Sequence, residues 1–225
     1  MKKIISLLLI AVMCISFASC NKTSNTDGYT SEVYTYDTPV ETEAVTFEEY
    51  VPDEYKSNGT GTFPKVKITV KNYGEINLIL NDEEAPITVK NFVKLVKEGF
   101  YDGLTFHRII QGFMIQGGDP QGTGMGGSDE EIKGEFTENG VANKISHVRG
   151  TISMARSNDP NSASSQFFIC DEDSPFLDGS YAAFGVVTSG MDVVDAIAKD
   201  AKPTDSNGTI PANEQPVIEK IEILK

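Results

Sequence analysis

Between residues 65 and 80 apolar and polar positions alternate strictly: Val66, Ile68 and Val70 stand between Lys65, Lys67, Thr69 and Lys71, and after Asn72-Tyr73-Gly74 the alternation resumes at Ile76, Leu78 and Leu80. A period of two is that of a half-buried strand, so the spacing predicts an antiparallel hairpin. From Pro86 the period changes. Val89, Phe92, Val93 and Val96 fall at i, i+3, i+4 and i+7, Pro86 suits a first helical position and Gly99 a stop, although Ala85 is a weak N-cap. This predicts one amphipathic helix of about three turns laid over a sheet. Short apolar runs then recur at 104–110, 113–116, 151–154, 166–170 and 182–187, separated by Gly, Pro, Asn and Asp. Met191, Val194, Ile197 and Ala198 mark a second short helix, and Val217, Ile221 and Ile223 a last strand able to pair with the first and close the sheet. Many short strands in one sheet favour a barrel or a sandwich.

The first 61 residues follow neither period. Met1-Lys2-Lys3, an apolar run over 4–17 and the small residues Ala18 and Ser19 form an export signal, too short and too abruptly ended for a membrane span. Cys20 directly follows Ala18-Ser19, which resembles the lipobox of bacterial lipoproteins, with Phe17 in place of the usual leucine. The expected organisation is a signal at 1–19, a lipid anchor on Cys20, an acidic disordered tether over 20–61 and a folded domain over 62–225. The alternative at Cys20 is a plain secretory signal with an incidental cysteine. With lipidation, Cys14 leaves with the signal and Cys20 is capped, so Cys170 becomes the sole free thiol and no intrachain disulfide forms. A tether of this length has a root-mean-square reach of roughly 35 Å, enough to hold a domain clear of a bilayer.

The formal charge of -14 disfavours a nucleic-acid partner, because phosphate binding requires Lys and Arg to displace counterions. His107 and His147 are the two histidines, and neither they nor the three cysteines stand at a zinc or haem spacing, so no metal or other cofactor is expected. A serine or cysteine hydrolase would need a histidine base, and strict alternation puts His107 on the sheet face opposite Arg108; both histidines read as structural. Gly122-Thr123-Gly124-Met125-Gly126-Gly127 matches the Gly-x-Gly-x-x-Gly fingerprint formally, but Ser128-Asp129-Glu130-Glu131 follows where an apolar helix should begin. An irregular surface loop is the better reading. Arg108 stands alone among apolar neighbours, either snorkelling to water or holding a donor fork over an apolar pocket.

Phe106-His107-Arg108, the run Gly112-Phe113-Met114-Ile115-Gln116-Gly117-Gly118-Asp119, Ser153-Met154-Ala155, Ser165-Gln166-Phe167-Phe168-Ile169-Cys170 and Leu177-Asp178-Gly179 resemble the successive signatures of the cyclophilins, the cyclosporin-binding peptidyl-prolyl cis-trans isomerases. The resemblance spans 63–224 in the family's order. It implies a mainly β fold, a closed eight-stranded antiparallel barrel capped by two α-helices, working as a monomer. It also implies that Arg108 is the catalytic arginine and that Gln116 orients it and contacts the substrate backbone. Phe113, Met114, Phe167 and Leu177 match the pocket for the proline ring, and Ala155, Arg156 and Gln166 the groove for preceding residues. Phe176 stands where eukaryotic members carry a pocket-edge tryptophan and Tyr181 where they carry a histidine, changes that should weaken cyclosporin more than activity. One extra residue lies between Ser157 and Pro160, beside Asn158 and Asp159.

The combined expectation is a membrane-tethered, extracytoplasmic isomerase acting on proline-containing segments of exported proteins. A non-catalytic chaperone or proline-peptide binding module would keep the pocket without depending on Arg108, and a solute-binding lipoprotein would capture a small ligand tightly.

Overall fold

The computed structural model describes residues 61–225. The expected export signal, Cys20 and all but the last residue of the expected tether lie outside the described residues. Among the described residues there are eight strands: β1 (Lys65–Val70), β2 (Gly74–Leu80), β3 (Thr105–Ile110), β4 (Met114–Asp119), β5 (Thr151–Met154), β6 (Phe167–Cys170), β7 (Ala183–Ser189) and β8 (Ile218–Ile223). They form one antiparallel sheet in the order β3-β4-β6-β5-β7-β2-β1-β8. Helices α1 (Pro86–Lys97) and α2 (Met191–Asp200) pack against it.

The hairpin and the β8–β1 pairing follow the alternation in the sequence. Full closure does not. The sheet is strongly curled, and its edges β3 and β8 meet over a short contact rather than a ladder: Thr105 bridges Val217, and Leu104 O accepts Ile218 N at 2.8 Å. Beyond Thr105 the free edge of β3 is taken by the segment before β8, where Gly208 O accepts Ile109 N at 2.8 Å and His107 O accepts Ile210 N at 3.0 Å. The backbone groups of that edge are satisfied by a loop, which removes the need for a continuous strand pair.

Inside the curl, Phe92 from α1 lies against Tyr101, Phe167 and Phe184 at centroid distances of 5.1, 5.6 and 5.3 Å. Val66, Ile68, Ile76, Leu78, Ile109 and Ile115 complete the main buried core. Ala85 offers no side-chain cap to α1, as its sequence implied. The cap comes from far along the chain: Glu135, 2% exposed, accepts Ile87 N at 3.0 Å, Thr88 N at 2.8 Å and the Thr88 hydroxyl at 2.7 Å. A carboxylate there satisfies orphan amides and faces the positive end of the helix dipole. At the other end Gly99 takes φ +69 and its amide donates to Val96 O, ending the helix where a glycine stop was expected.

Both histidines are buried, His107 to 4% and His147 to 1% exposure. Burial pushes each below its ordinary pKa, with Asp119 opposing it at His107 and Asp178 opposing it at His147. Each therefore folds neutral, while the unfolded chain takes up a proton near pH 6.5. Stability should be fully present above pH 6.5 and fall as the pH drops below it, by up to about 1.4 kcal/mol per pH unit for each histidine. Urea unfolding between pH 8 and 5 measures this, and a flat profile would contradict it.

Candidate active site

Three neighbouring strands build the site, and their registers place its residues in rows. Across the outer face of the curl, Arg108 on β3 lies opposite Gln116 on β4, which lies opposite Phe168 on β6. One step along, Ile110, Met114 and Cys170 form a parallel row. Phe113, Ala155, Leu177 and Tyr181 join Met114 and Phe168 in an apolar cluster separate from the core. The result is an apolar groove with one guanidinium at its edge.

Strict alternation fails at His107, and the failure places Arg108. The β3–β4 register slips between Phe106, paired with Gly117, and Arg108, paired with Gln116. His107 is the extra residue of a β-bulge, so Phe106 and Ile109 both enter the core while Arg108 and Ile110 face the groove. Without the bulge Arg108 would share a face with Phe106. Paired glycines end β4 for a related reason: Gly118 has φ +85, and a Cβ there would lie 2.5 Å from Ser165 O.

Phe167 does not line the pocket that the resemblance assigned to it. It is fully buried in the aromatic core, T-shaped against Phe92 and Tyr101 at 5.6 Å, and does not reach the groove. Phe168 is the groove residue, 5.9 Å and T-shaped from Tyr181. Alternation carried the signal: counting by two from Gln166 on the groove side gives Phe168 and Cys170, not Phe167.

Arg108 is held on two sides. Its Nε donates to Asn207 O at 2.7 Å and its Nη1 to Gln116 Oε1 at 3.1 Å, with the guanidinium 6.0 Å from the Phe113 ring centroid. Gln116 Nε2 donates to Gln166 Oε1 at 2.9 Å, and Gln166 Nε2 donates to Gly124 O at 3.1 Å and Gly126 O at 2.7 Å. The chain starts at a group that can only donate and ends at carbonyls that can only accept, so both amides have one orientation. Burial lowers the Arg108 pKa, with Tyr181 and Asp205 opposing it, and arginine stays charged at neutral pH. Among the described residues Nη2 has no hydrogen-bond partner, which leaves it for a ligand.

The glycine-rich stretch is a loop wrapped around Asp119, whose carboxylate accepts the amides of Gln121, Thr123 and Gly124 at 2.8, 2.9 and 2.6 Å. Burial alone would raise the Asp119 pKa, but these amides outweigh it and hold the carboxyl low. Amides that a phosphate would require are thus spent on an internal anion. Ala155 joins the groove, whereas the Arg156 side chain is occupied: its Nε and Nη2 donate to Ser180 O at 3.0 and 2.8 Å, and its guanidinium lies over Tyr181 and Phe136 at 4.7 and 5.1 Å. Phe176 stands at the rim, 70% exposed and 5.5 Å from Phe113. The extra residue near Asn158 and Asp159 sits in a self-bonded turn, where Asp159 accepts Asn161 N at 2.8 Å and Ser162 Oγ accepts Ser157 N at 2.9 Å.

Behind the groove, Ser153 Oγ, His147 and Asp178 form a hydrogen-bonded chain at 2.9 and 2.8 Å. These are the parts of a hydrolytic triad, but Ser153 is fully buried and no substrate reaches it. The chain holds His147 stacked on Phe168, centroids 6.0 Å apart. Cys170, in the same cluster as Met114 and Phe168, is buried, and burial pushes its thiol up to about 12.

A family model described as cyclophilin type peptidyl-prolyl cis-trans isomerase/CLD matches residues 65–224. A peptidyl-prolyl cis-trans isomerase of Synechococcus elongatus is 53% identical over 112 residues, covering 50% of this chain and 72% of the relative. One of Helicobacter pylori is 51% identical over 132 residues, covering 57% and 78%. Among solved structures, a cyclophilin type peptidyl-prolyl cis-trans isomerase of Cryptosporidium parvum superposes with a TM-score of 0.64 at 32% identity, over 72% of this chain and 98% of that one. The same enzyme determined in the presence of the dipeptide Ala-Pro gives a TM-score of 0.63 at 32% identity, over 72% and 99%. An arginine fixed at the edge of an apolar groove, on a sheet of this topology and with relatives of this closeness, has one reading: the chain belongs to the cyclophilin-type peptidyl-prolyl cis-trans isomerases.

Proposed function

We propose that this isomerase works outside the cytoplasm, held to a membrane by lipid on Cys20, and accelerates rotation of X-Pro bonds in exported proteins. Rotation must break amide resonance, a barrier of roughly 18–20 kcal/mol, and makes or cuts no other covalent bond. An apolar slot that grips the proline ring, beside a fixed donor for the twisted amide, is therefore sufficient chemistry. The slot is assigned to Phe113, Met114, Phe168 and Leu177, and the donor to Arg108. As the amide twists, its nitrogen recovers a lone pair, and the guanidinium donates to it without losing its charge. Gln116 and Gln166 set the plane of that donor, Ala155 borders the slot for residues before proline, and Phe176 and Tyr181 close its rim. The observation that carries this assignment is the guanidinium itself, bound on Nε and Nη1 and left with Nη2 beside an apolar groove. The related enzyme determined with Ala-Pro supports a proline-containing ligand.

The anchor rests on the sequence around Cys20. Buried acyl methylenes at about 0.8 kcal/mol each make release negligible once two or more chains are attached. Cys20→Ser should move the protein from the membrane to the soluble fraction of cells and leave its turnover of a proline peptide unchanged. Equal membrane association of wild type and variant would overturn the anchor.

A further inference from the structure

We infer that Asp205, which lies outside the groove and touches no groove residue by hydrogen bond, is a positioning residue for Arg108, acting through the main-chain carbonyl of Asn207. The shortest hydrogen bond of Arg108 is the one from Nε to Asn207 O, at 2.7 Å. That carbonyl belongs to an exposed loop between α2 and β8, and an exposed loop carbonyl does not hold an angle unaided. Here the loop is fixed from within. Asp205 Oδ1 accepts Asn207 N at 3.0 Å and Thr209 N at 3.1 Å, and Oδ2 accepts the Thr209 hydroxyl at 2.9 Å. The carboxylate therefore grips the chain on both sides of the Asn207–Gly208 peptide, whose oxygen faces Arg108.

The same loop is docked on β3. Gly208 O accepts Ile109 N at 2.8 Å, Ile210 N donates to His107 O at 3.0 Å, and Thr204 N donates to Thr209 O at 2.9 Å. Gly208 has φ +86, and a Cβ there would meet Ile110 Cγ1 at 2.5 Å, so the close approach needs glycine. Docking fixes the loop from Gly208 onward, and Asp205 holds the Asn207–Gly208 peptide from both sides. The bonds from Thr209, with those from Asn207 and Gly208, hold the Asp205 carboxyl below its usual range, so it is ionised at neutral pH. Its charge also favours the charged guanidinium of Arg108.

The inference rests on Arg108 being the catalytic donor, and the test separates the two. On the full chain, Asp205→Ala should lower kcat by about tenfold and leave KM within about twofold, because a misaimed donor is lost mainly in the transition state. Asp205→Asn keeps the Oδ1 acceptor for both amides and should restore kcat to within about threefold of wild type. In an Arg108→Ala background, adding Asp205→Ala should change kcat less than about twofold, since residues acting through one another are not additive. The Arg108 Nε–H signal in NMR reports the positioning without reference to catalysis, and it should shift and exchange faster with water in Asp205→Ala. An unchanged signal overturns the inference whatever the kinetics. So does a tenfold loss that persists in the Arg108→Ala background, which would mark Asp205 as merely structural. If Arg108→Ala alone keeps full activity while the signal moves as expected, the catalytic assignment fails and the positioning stands.

Discussion

Phe167→Ala is expected to destabilise the domain by about 3–5 kcal/mol, while Phe168→Ala is expected to cost turnover above all. The two rings are adjacent in sequence and on opposite faces of β6. Phe167 is fully buried among Phe92, Tyr101 and Phe106, at centroid distances of 5.6, 5.6 and 6.2 Å. Truncating it opens a cavity that rigid neighbours cannot fill. Phe168 instead joins Met114 and Leu177 in the groove, with Tyr181 at its edge. Its removal strips a wall from the slot for the proline ring, worth about 1–3 kcal/mol of transition-state binding or roughly ten- to a hundredfold in kcat/KM. Urea denaturation and turnover of a proline peptide, measured on both variants and corrected for the folded fraction, separate them. A Phe167→Ala protein that melts like wild type but turns over poorly would reverse the assignment of faces.

Local pattern made much of this legible. The alternation over β1 and β2 and the helical stripe from Val89 to Val96 depend on neighbours within a few residues, and both elements form where that pattern put them. The order of the signature segments pointed to Arg108 and Gln116, which the structure brings together. What escaped the sequence is non-local. The bulge at His107 depends on the register against β4, and the cap of α1 on a carboxylate 47 and 48 residues away. The partner of Arg108 Nε is a carbonyl 99 residues away, contributed by a backbone atom that no side-chain pattern reveals. Closure of the sheet departs from expectation for the same reason. Pairing of β8 with β1 was visible in its alternation, but a loop occupying the edge of β3 was not. The missed groove residue differs, since Phe168 was present in the alternation of β6 and needed only a count from Gln166.

Arg108→Ala is expected to lower turnover by about two to three decades, some 3–4 kcal/mol, with peptide affinity nearly unchanged. The guanidinium is not part of the apolar cluster and stands 6.0 Å from the Phe113 ring centroid, so little ground-state contact is lost with it. Its bonds to Asn207 O and Gln116 Oε1 hold a planar fork in place before the substrate arrives, and the cost of aiming the donor is met during folding. Lysine should rescue poorly, because one ammonium cannot meet Asn207 O and Gln116 Oε1 together and still present a further donor in the same plane. A guanidinium that merely reached for water would behave differently, with both variants losing stability or nothing. The most direct measurement is therefore the isomerisation rate of a proline peptide catalysed by Arg108→Ala, taken beside its peptide Kd and melting curve on one preparation. The expected result is a loss of two to three decades with Kd and melting near wild type; a well-folded variant within about tenfold of wild-type efficiency, only about 1.4 kcal/mol, would contradict the role of Arg108.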